Sequence, residues 1–281
     1  MFNIGMYSPE IKRFTLERLF DAIKIYGFSE VQFNFSSTGG EDMPNTINEE
    51  LADYIYSVAS HRGIKISAVN GTFNMTHPEK TIRLDGIKRF EQIAKVCGCL
   101  HCKLISLCTG TRNTQSMWRW HPDNETSEAW NDLTETTQAL LEIADKYKVY
   151  LGVETEASNV INTPEKARKL LDSMGSPWLK IIFDPANLFH AGEAYPENSA
   201  RILEHAFDLL AQDIIIAHAK DIKSGPEIEF TSAGRGIVAF ERLFELLITN
   251  KYQGGVIIHG VHDELEFNYS VAFMKELMNN I

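Results

Sequence analysis

Short apolar runs alternate with longer segments of mixed character along the whole chain, and the two kinds carry different periods. The runs FNIGM (Phe2–Met6), EVQFNF (Glu30–Phe35), IKISAVN (Ile64–Asn70), CKLISLC (Cys102–Cys108), VYLGVE (Val149–Glu154), KIIFD (Lys180–Asp184), DIIIAHAKD (Asp213–Asp221) and GGVIIHG (Gly254–Gly260) are five to nine residues long. Their length and their β-branched and aromatic content predict strands. The segments between them predict helices over about Thr15–Tyr26, Thr46–His61, Thr76–Gly98, a stretch ending near Lys148, Pro164–Met174, Glu197–Ala211, Val238–Asn250 and Ser270–Asn280. Gly27, Gly63 and Gly98 supply stop signals, and Pro78 falls near the start of the third helix, the expected asymmetry of helix ends. Eight strands alternating with eight helices, with no antiparallel hairpin, predict a parallel sheet. Eight such units in 281 residues predict a (β/α)8 TIM barrel, a single α/β domain over 1–281. An open, doubly wound sheet is the alternative, and the first strand lacks the G-x-G-x-x-G that a dinucleotide-binding version would carry.

The stretch LKIIFDPANLFH (Leu179–His190) shows where chemistry enters this pattern. A run apolar enough to be buried on both faces ends on Asp184, and Pro185 follows at once. Parallel α/β folds keep their functional groups at the carboxyl ends of strands. An aspartate before a proline also opens turns and caps helices, so Asp184 alone decides nothing. The pattern recurs, however. Glu154 ends the fifth strand, His218 lies at the end of the seventh and His259 at the end of the eighth, about one βα unit apart each time. In a barrel these four side chains share one half of the carboxyl-end rim. Two carboxylates and two imidazoles there form a nitrogen and oxygen cage for a divalent cation: Mn²⁺ is the first expectation, Co²⁺, Fe²⁺, Mg²⁺ and Zn²⁺ are compatible, and two imidazoles weigh against Mg²⁺.

Composition trims the alternatives. A net charge of −11 opposes a nucleic-acid backbone as principal partner, because phosphate binding needs a basic footprint. The longest apolar runs fall far short of a membrane span, and the first residues lack the apolar core of a secretory signal. A cytoplasmic protein acting on a small molecule, without nucleic acid or membrane, is therefore expected; the sequence leaves room for a homo-oligomer. The four cysteines, Cys97, Cys99, Cys102 and Cys108, lack paired C-x-x-C spacing and read as reduced core thiols rather than a metal site.

Several motifs also resemble a known family. HAKD (His218–Asp221), FDPAN (Phe183–Asn187), Glu154 at the end of the fifth strand, the turn SAGRGIVAF and the segment THPEKTIRLDGIKRFEQIAKVCG are similar to the xylose-isomerase-like TIM barrel superfamily of sugar isomerases and epimerases. The resemblance spans nearly the whole chain and implies that Glu154, Asp184 and His218 are metal ligands. The superfamily also contains inosose and dehydroshikimate dehydratases and apurinic-site endonucleases. Two departures stand out. Sugar epimerases of this kind usually end the eighth strand in a second glutamate, where this chain has His259, and often place a histidine where it has Asn187.

The resemblance implies a metal-dependent sugar isomerase or epimerase working by proton abstraction beside a polarised carbonyl, on a ketose or polyol-derived ketone. A metal-dependent dehydratase is the first alternative, since elimination needs an acid for the leaving hydroxyl and no symmetrical reprotonation. A hydrolase of nucleic acid and a non-catalytic sugar-binding relative stand further off. Glu154 is the expected base, His259 a ligand or an acid/base, and Lys220 either a catalytic group on a substrate oxygen or a partner of Asp221 or Glu154 in a buried ion pair. In the loop after the fourth strand Trp118 and His121 are expected to contact substrate, with Trp118 and Trp120 suited to stacking on a sugar face. Asn187 is expected to orient substrate, and Arg235, between Gly234 and Gly236, to reach an anionic group at the mouth.

Overall fold

The computed structural model describes residues 2–280, so the predicted span 1–281 extends one residue beyond it at each end. Strands β1 (Ile4–Tyr7), β2 (Glu30–Phe33), β3 (Lys65–Asn70), β4 (Leu104–Cys108), β5 (Tyr150–Glu154), β6 (Leu179–Phe183), β7 (Ile214–Ile222) and β9 (Val256–Ile258) run parallel in that order around a barrel. Pairing of β6 with β7 and of β9 with β1 closes it. Helices α1 (Leu16–Ile25), α2 (Glu49–Ser60), α3 (Lys80–Val96), α4 (Ser127–Tyr147), α5 (Pro164–Met174), α6 (Pro196–Leu210), α7 (Phe240–Thr249) and α8 (Glu266–Asn280) form the outer ring. The chain thus folds as the expected TIM barrel.

Local chemistry sets most boundaries. Thr15, Asn48, Thr126 and Thr163 each accept a backbone N–H of the first helical turn, the usual N-cap bond. The cap at Asn48 starts α2 later than periodicity suggests. Pro78 stands before α3 rather than in its first turn, and α8 begins four residues ahead of the predicted Ser270.

One expectation is corrected. An additional strand, β8 (Phe230–Ser232), pairs antiparallel with the far end of β7 through Lys220–Ser232, Asp221–Thr231 and Ile222–Phe230. The run IIIAHAKDI is nine residues long, while its barrel partners are matched only as far as Phe183–Ala217 and Ile258–Ala219. Its surplus projects beyond the barrel edge, and the free backbone groups there recruit a hairpin partner.

Inside the barrel the strands stack two layers of opposite character. Ala68, Leu104, Ile182, Ile216 and Ile257 form a cluster of their own, apart from the large core between sheet and helices. Glycines make room for it: a Cβ on Gly152 would lie 2.7 Å from Ile182 Cγ1, and one on Gly5 2.4 Å from Ile257 Cδ1. Two residues further along those strands stand Asn70, Ser106, Asp184, His218, His259, Glu154 and Tyr7. Side chains two apart point to the same face of a strand, so an apolar plug carries a polar layer directly on its carboxyl side.

Candidate functional site

The polar layer borders a cavity of about 460 Å³ at the carboxyl ends of the strands, a size that suits a small molecule. Glu154, Asp184 and His218 converge at its base, with ligand atoms all within 4.8 Å of one another. Asp184 divides its two oxygens between two tasks. Oδ1 accepts the amides of Ala186 at 2.9 Å and Asn187 at 3.4 Å, while Oδ2 is buried without a hydrogen-bond partner. The aspartate therefore both opens the turn and turns an oxygen that makes no hydrogen bond toward His218 and Lys220.

His218 faces that oxygen. Its Nδ1, likewise buried without a hydrogen bond, lies 3.4 Å from Asp184 Oδ2 and 3.6 Å from Glu154 Oε1. Its Nε2 is 2.9 Å from Gln32 Oε1, and Gln32 Nε2 donates to Ser106 Oγ at 3.3 Å. With its amide nitrogen committed to Ser106, Gln32 presents its oxygen to the histidine, which places a proton on Nε2 and leaves Nδ1 the ligating nitrogen. Two orphaned buried atoms and a nearby carboxylate form an N/O donor set that fits a divalent cation.

The electrostatics agree. Burial opposes ionisation of Asp184, but Lys220 and His218 hold its carboxyl well below the usual range. For His218 burial lowers the pKa, and Glu154 and Asp184 outweigh it, pushing it up to about 9. Burial also opposes the ammonium of Lys220, yet Asp184, Glu154 and Glu156 keep it charged.

Lys220 makes a different pairing from those considered in sequence. Its Nζ lies 3.4 Å from Asp184 Oδ2 and donates to Asn187 Oδ1 at 2.5 Å, while Asn187 Nδ2 donates to Glu154 Oε1 at 2.6 Å. Asn187 thus links the lysine to the glutamate, each end of its amide committed. Asp221 is occupied elsewhere, accepting the amides of Ile222, Gly234, Gly236 and Val238 at 2.8–3.0 Å. The HAKD segment accordingly supplies a metal-facing nitrogen, a buried cation and the anchor of the SAGRG turn. A Cβ on Gly236 would lie 2.4 Å from Asp221 Oδ1, so that close approach requires the glycine.

His259 stands beside the three-residue cluster rather than within it. Its ring centroid is 5.2 Å from that of His218, and it stacks on Tyr7 at 4.9 Å. Its Nδ1 lies 3.3 Å from Glu10 Oε1, which accepts the amide of Gly260 at 2.7 Å. Tyr7, His259 and Lys220 all line the cavity, as do Trp118, Asn187, Asp42, Glu156 and Phe230. The ring of Phe230, carried by the hairpin, has its centroid 3.8 Å from Lys220 Nζ.

Other expected contacts fall outside. His121 caps a short 3-10 turn, its Nδ1 accepting from Asp123 N at 3.2 Å, and does not line the cavity. Trp120 is half-exposed and also outside it. Arg235 lies over Tyr269 and binds Glu266 at 3.0 Å. The four cysteines are free thiols, and Cys108 borders the cavity, 3.9 Å from Glu154 Oε2.

Gln32, Glu156, Glu10 and Phe230 were not singled out in the sequence. Gln32 had a signal: EVQFNF alternates Glu30, Gln32 and Asn34 with apolar residues, a polar stripe on one face of a strand whose other face is core. Glu10 and Phe230 had none, because both reach the site from segments joined to it only by the fold.

A closed parallel barrel with two carboxylates and an imidazole converging under a carboxyl-end cavity defines a class of metal-site TIM barrels. The xylose isomerase-like TIM barrel family model matches residues 20–277, and the chain belongs to that family. It is similar to an inosose dehydratase of Bacillus thuringiensis (strain Al Hakam), 22% identical over 149 residues, 49% of each chain. The match thus spans about half the length of that curated relative. Among solved structures it is similar to a D-tagatose 3-epimerase-like protein, with TM-score 0.77 and 18% identity over 99% of this chain and 97% of that one. It is also similar to the 3-keto-D-glucoside 4-epimerase of E. coli, with TM-score 0.74 and 18% identity over 98% of this chain and all of the other.

Proposed function

We propose that this protein is a metal-dependent sugar isomerase or epimerase that moves a proton at the carbon beside a ketone of a small hydroxylated substrate. The observation that carries the reading is the pair of orphaned buried atoms, Asp184 Oδ2 and His218 Nδ1, facing Glu154 beneath the cavity. These three residues would hold a divalent cation, with Mn²⁺ the first choice, and the cation would supply Lewis-acid polarisation of a substrate carbonyl. Glu154 Oε1 is held by Asn187, and Oε2, approached by the Cys108 thiol at 3.9 Å, is the oxygen for taking a proton. Lys220 is a fixed ammonium, so it donates a hydrogen bond to a substrate oxygen and does not act as an amine nucleophile. Asn187 keeps Glu154 and Lys220 in register. His259, just past the end of β9 and beside Tyr7 and Glu10, is the second proton-handling group. Trp118 and Phe230 offer apolar faces to the sugar C–H groups.

A dehydratase is the second reading, favoured by the similarity to an inosose dehydratase and by an imidazole where a symmetrical exchange would use a carboxylate. Both reactions begin with the same proton transfer and separate afterwards. The test is to incubate Mn²⁺-loaded protein with a panel of ketoses and an inosose in D₂O and follow the substrate by NMR and mass spectrometry. Deuterium at the carbon beside the carbonyl is expected, and Glu154→Gln should slow its entry by about 10²-fold or more. An unsaturated product assigns the dehydratase. The absence of both deuterium incorporation and product with every substrate in the panel refutes the proposal.

A further inference from the structure

The cavity is acidic beyond what its cation site requires. Asp42, Glu154 and Glu156 line it, Asp184 clusters with Glu154, and among the described residues Lys220 is the one lysine or arginine on its wall. That ammonium is already engaged by Asp184 and Asn187. His218 is the other positive group and is itself turned on Glu154 and Asp184, and burial raises the pKa of the Glu156 carboxyl. Among the described residues the lining thus holds several acidic acceptors and no cationic side chain left free for an anion.

The basic side chains of the surrounding loops do not repair this. Arg13 binds Glu264 at 3.0 Å, Arg112 binds Asp132 at 2.5 Å, and Arg235 binds Glu266 at 3.0 Å. Lys223 is paired with Glu229, and Lys12 and Arg119 are exposed and do not line the cavity. Recognition of a phosphate or carboxylate needs a cationic fork or a nest of amides pointed at it. The polar groups on this wall suit the O–H donors of a polyol instead: Asp42 on the β2–α2 segment, Asn70 on β3, and Glu156 two residues beyond Glu154, one of whose oxygens already accepts from Ser158.

We infer that the site selects uncharged polyhydroxy ketones and excludes their phosphorylated and carboxylated counterparts, with Asp42 and Glu156 as the residues that set this selection. The inference rests on the proposed sugar site and adds the charge class of its substrate. A phosphate placed at the mouth meets the exposed Asp42 carboxylate as a like charge and Glu156 as an acceptor with no proton to spare once ionised, and finds no free cationic side chain, in a cavity only partly screened by solvent. An uncharged sugar gains their hydrogen bonds without that repulsion.

The experiment is a competition measurement on Mn²⁺-loaded protein using matched probes: D-fructose, D-tagatose and D-psicose against their 6-phosphates, and myo-inositol against inositol 1-phosphate. The neutral member of at least one pair should bind at least about tenfold more tightly than its ester. The gap should shrink as salt rises from low to moderate ionic strength. Asp42→Asn and Glu156→Gln should each narrow the gap by weakening exclusion of the ester. Because Asp42 is exposed and is not one of the cation ligands, its variant reports selection without disturbing the fold. An ester that binds as tightly as its parent, a gap unmoved by either variant, or failure of every neutral probe to bind overturns the inference. Neutral-selective binding without deuterium exchange on any bound ketose instead overturns the proposed reaction and leaves the charge selection standing.

Discussion

At the scale of single residues, the site depends on which atom of each side chain is already spoken for. Asp184 gives one oxygen to its own turn and keeps the other without a hydrogen bond; Gln32 gives its amide nitrogen to Ser106 and so turns its oxygen to His218. Residues that orient a metal-binding histidine tune affinity without touching the ion. Gln32→Ala is therefore expected to weaken divalent-cation binding by roughly 10- to 100-fold while the far-ultraviolet circular dichroism stays unchanged. Calorimetric titration checks the first and spectroscopy the second. A second prediction follows from the protonation of His218. In the cation-free protein Glu154 and Asp184 push its pKa up to about 9, so at pH 7 it carries two ring protons, and one must leave before Nδ1 can ligate. Cation binding at pH 7 should release about one proton, read from calorimetry in buffers of different ionisation enthalpy, and the release should vanish as pH rises past about 9. The same raised value means that the charged histidine stabilises the cation-free fold fully below its ordinary pKa of about 6.5, a contribution lost as pH rises through about 9.

At the scale of elements, β7 does more than its place in the barrel requires. Its inward residues Ile216, His218 and Lys220 climb from plug to cation site to cavity wall, and its projecting end carries the hairpin that brings Phe230 over Lys220. Asp221 ties that projection to the following turn through four backbone amides. Truncating a buried acceptor strands its donors. Asp221→Ala should destabilise the protein by roughly 2–3 kcal/mol in urea unfolding. Hydrogen exchange should quicken at Gly234, Gly236 and Val238 more than in β1 to β5; uniform loss of protection would show that Asp221 acts on the whole fold instead.

The hairpin also marks where sequence patterning loses its grip. The run DIIIAHAKD is legible as a strand, and its alternation places His218 and Lys220 on one face. A three-residue partner with one aromatic and two small hydroxyl residues, Phe230–Ser232, has too little periodicity to be distinguished from loop. The position of His259 was likewise legible as a strand end, while its company with Tyr7 and Glu10 arises from the neighbouring β1 and the short turn after it.

At the scale of the whole molecule, the barrel brings carboxylates together that would repel one another in isolation, and two positive groups, Lys220 and His218, hold them in the absence of the cation. A cation bound by the folded state alone raises stability by mass action, about 2.7 kcal/mol at a hundredfold excess over its Kd. For a chain of this length that corresponds to a rise in Tm on the order of 5 °C. Chelator treatment should reverse the rise, and Asp184→Ala should abolish it; a Tm indifferent to Mn²⁺ would contradict the assigned cation site. Among the described residues no helix is long and apolar enough to cross a membrane.

The order of the eight barrel strands and eight helices, the barrel they imply and the polar residues closing β5, β6, β7 and β9 were all determined by the sequence itself, because a period of two and a period of 3.6 are written locally and a buried strand must be apolar until it reaches its functional end. The tertiary structure alone decided which of those ends meet. Convergence of Glu154, Asp184 and His218, the placing of His259 beside Glu10, the exclusion of His121 and Arg235 from the cavity and its acidic lining all depend on distances between segments far apart in the chain. Strand tilt, register and loop course set those distances, and none of the three is encoded within any one run of residues.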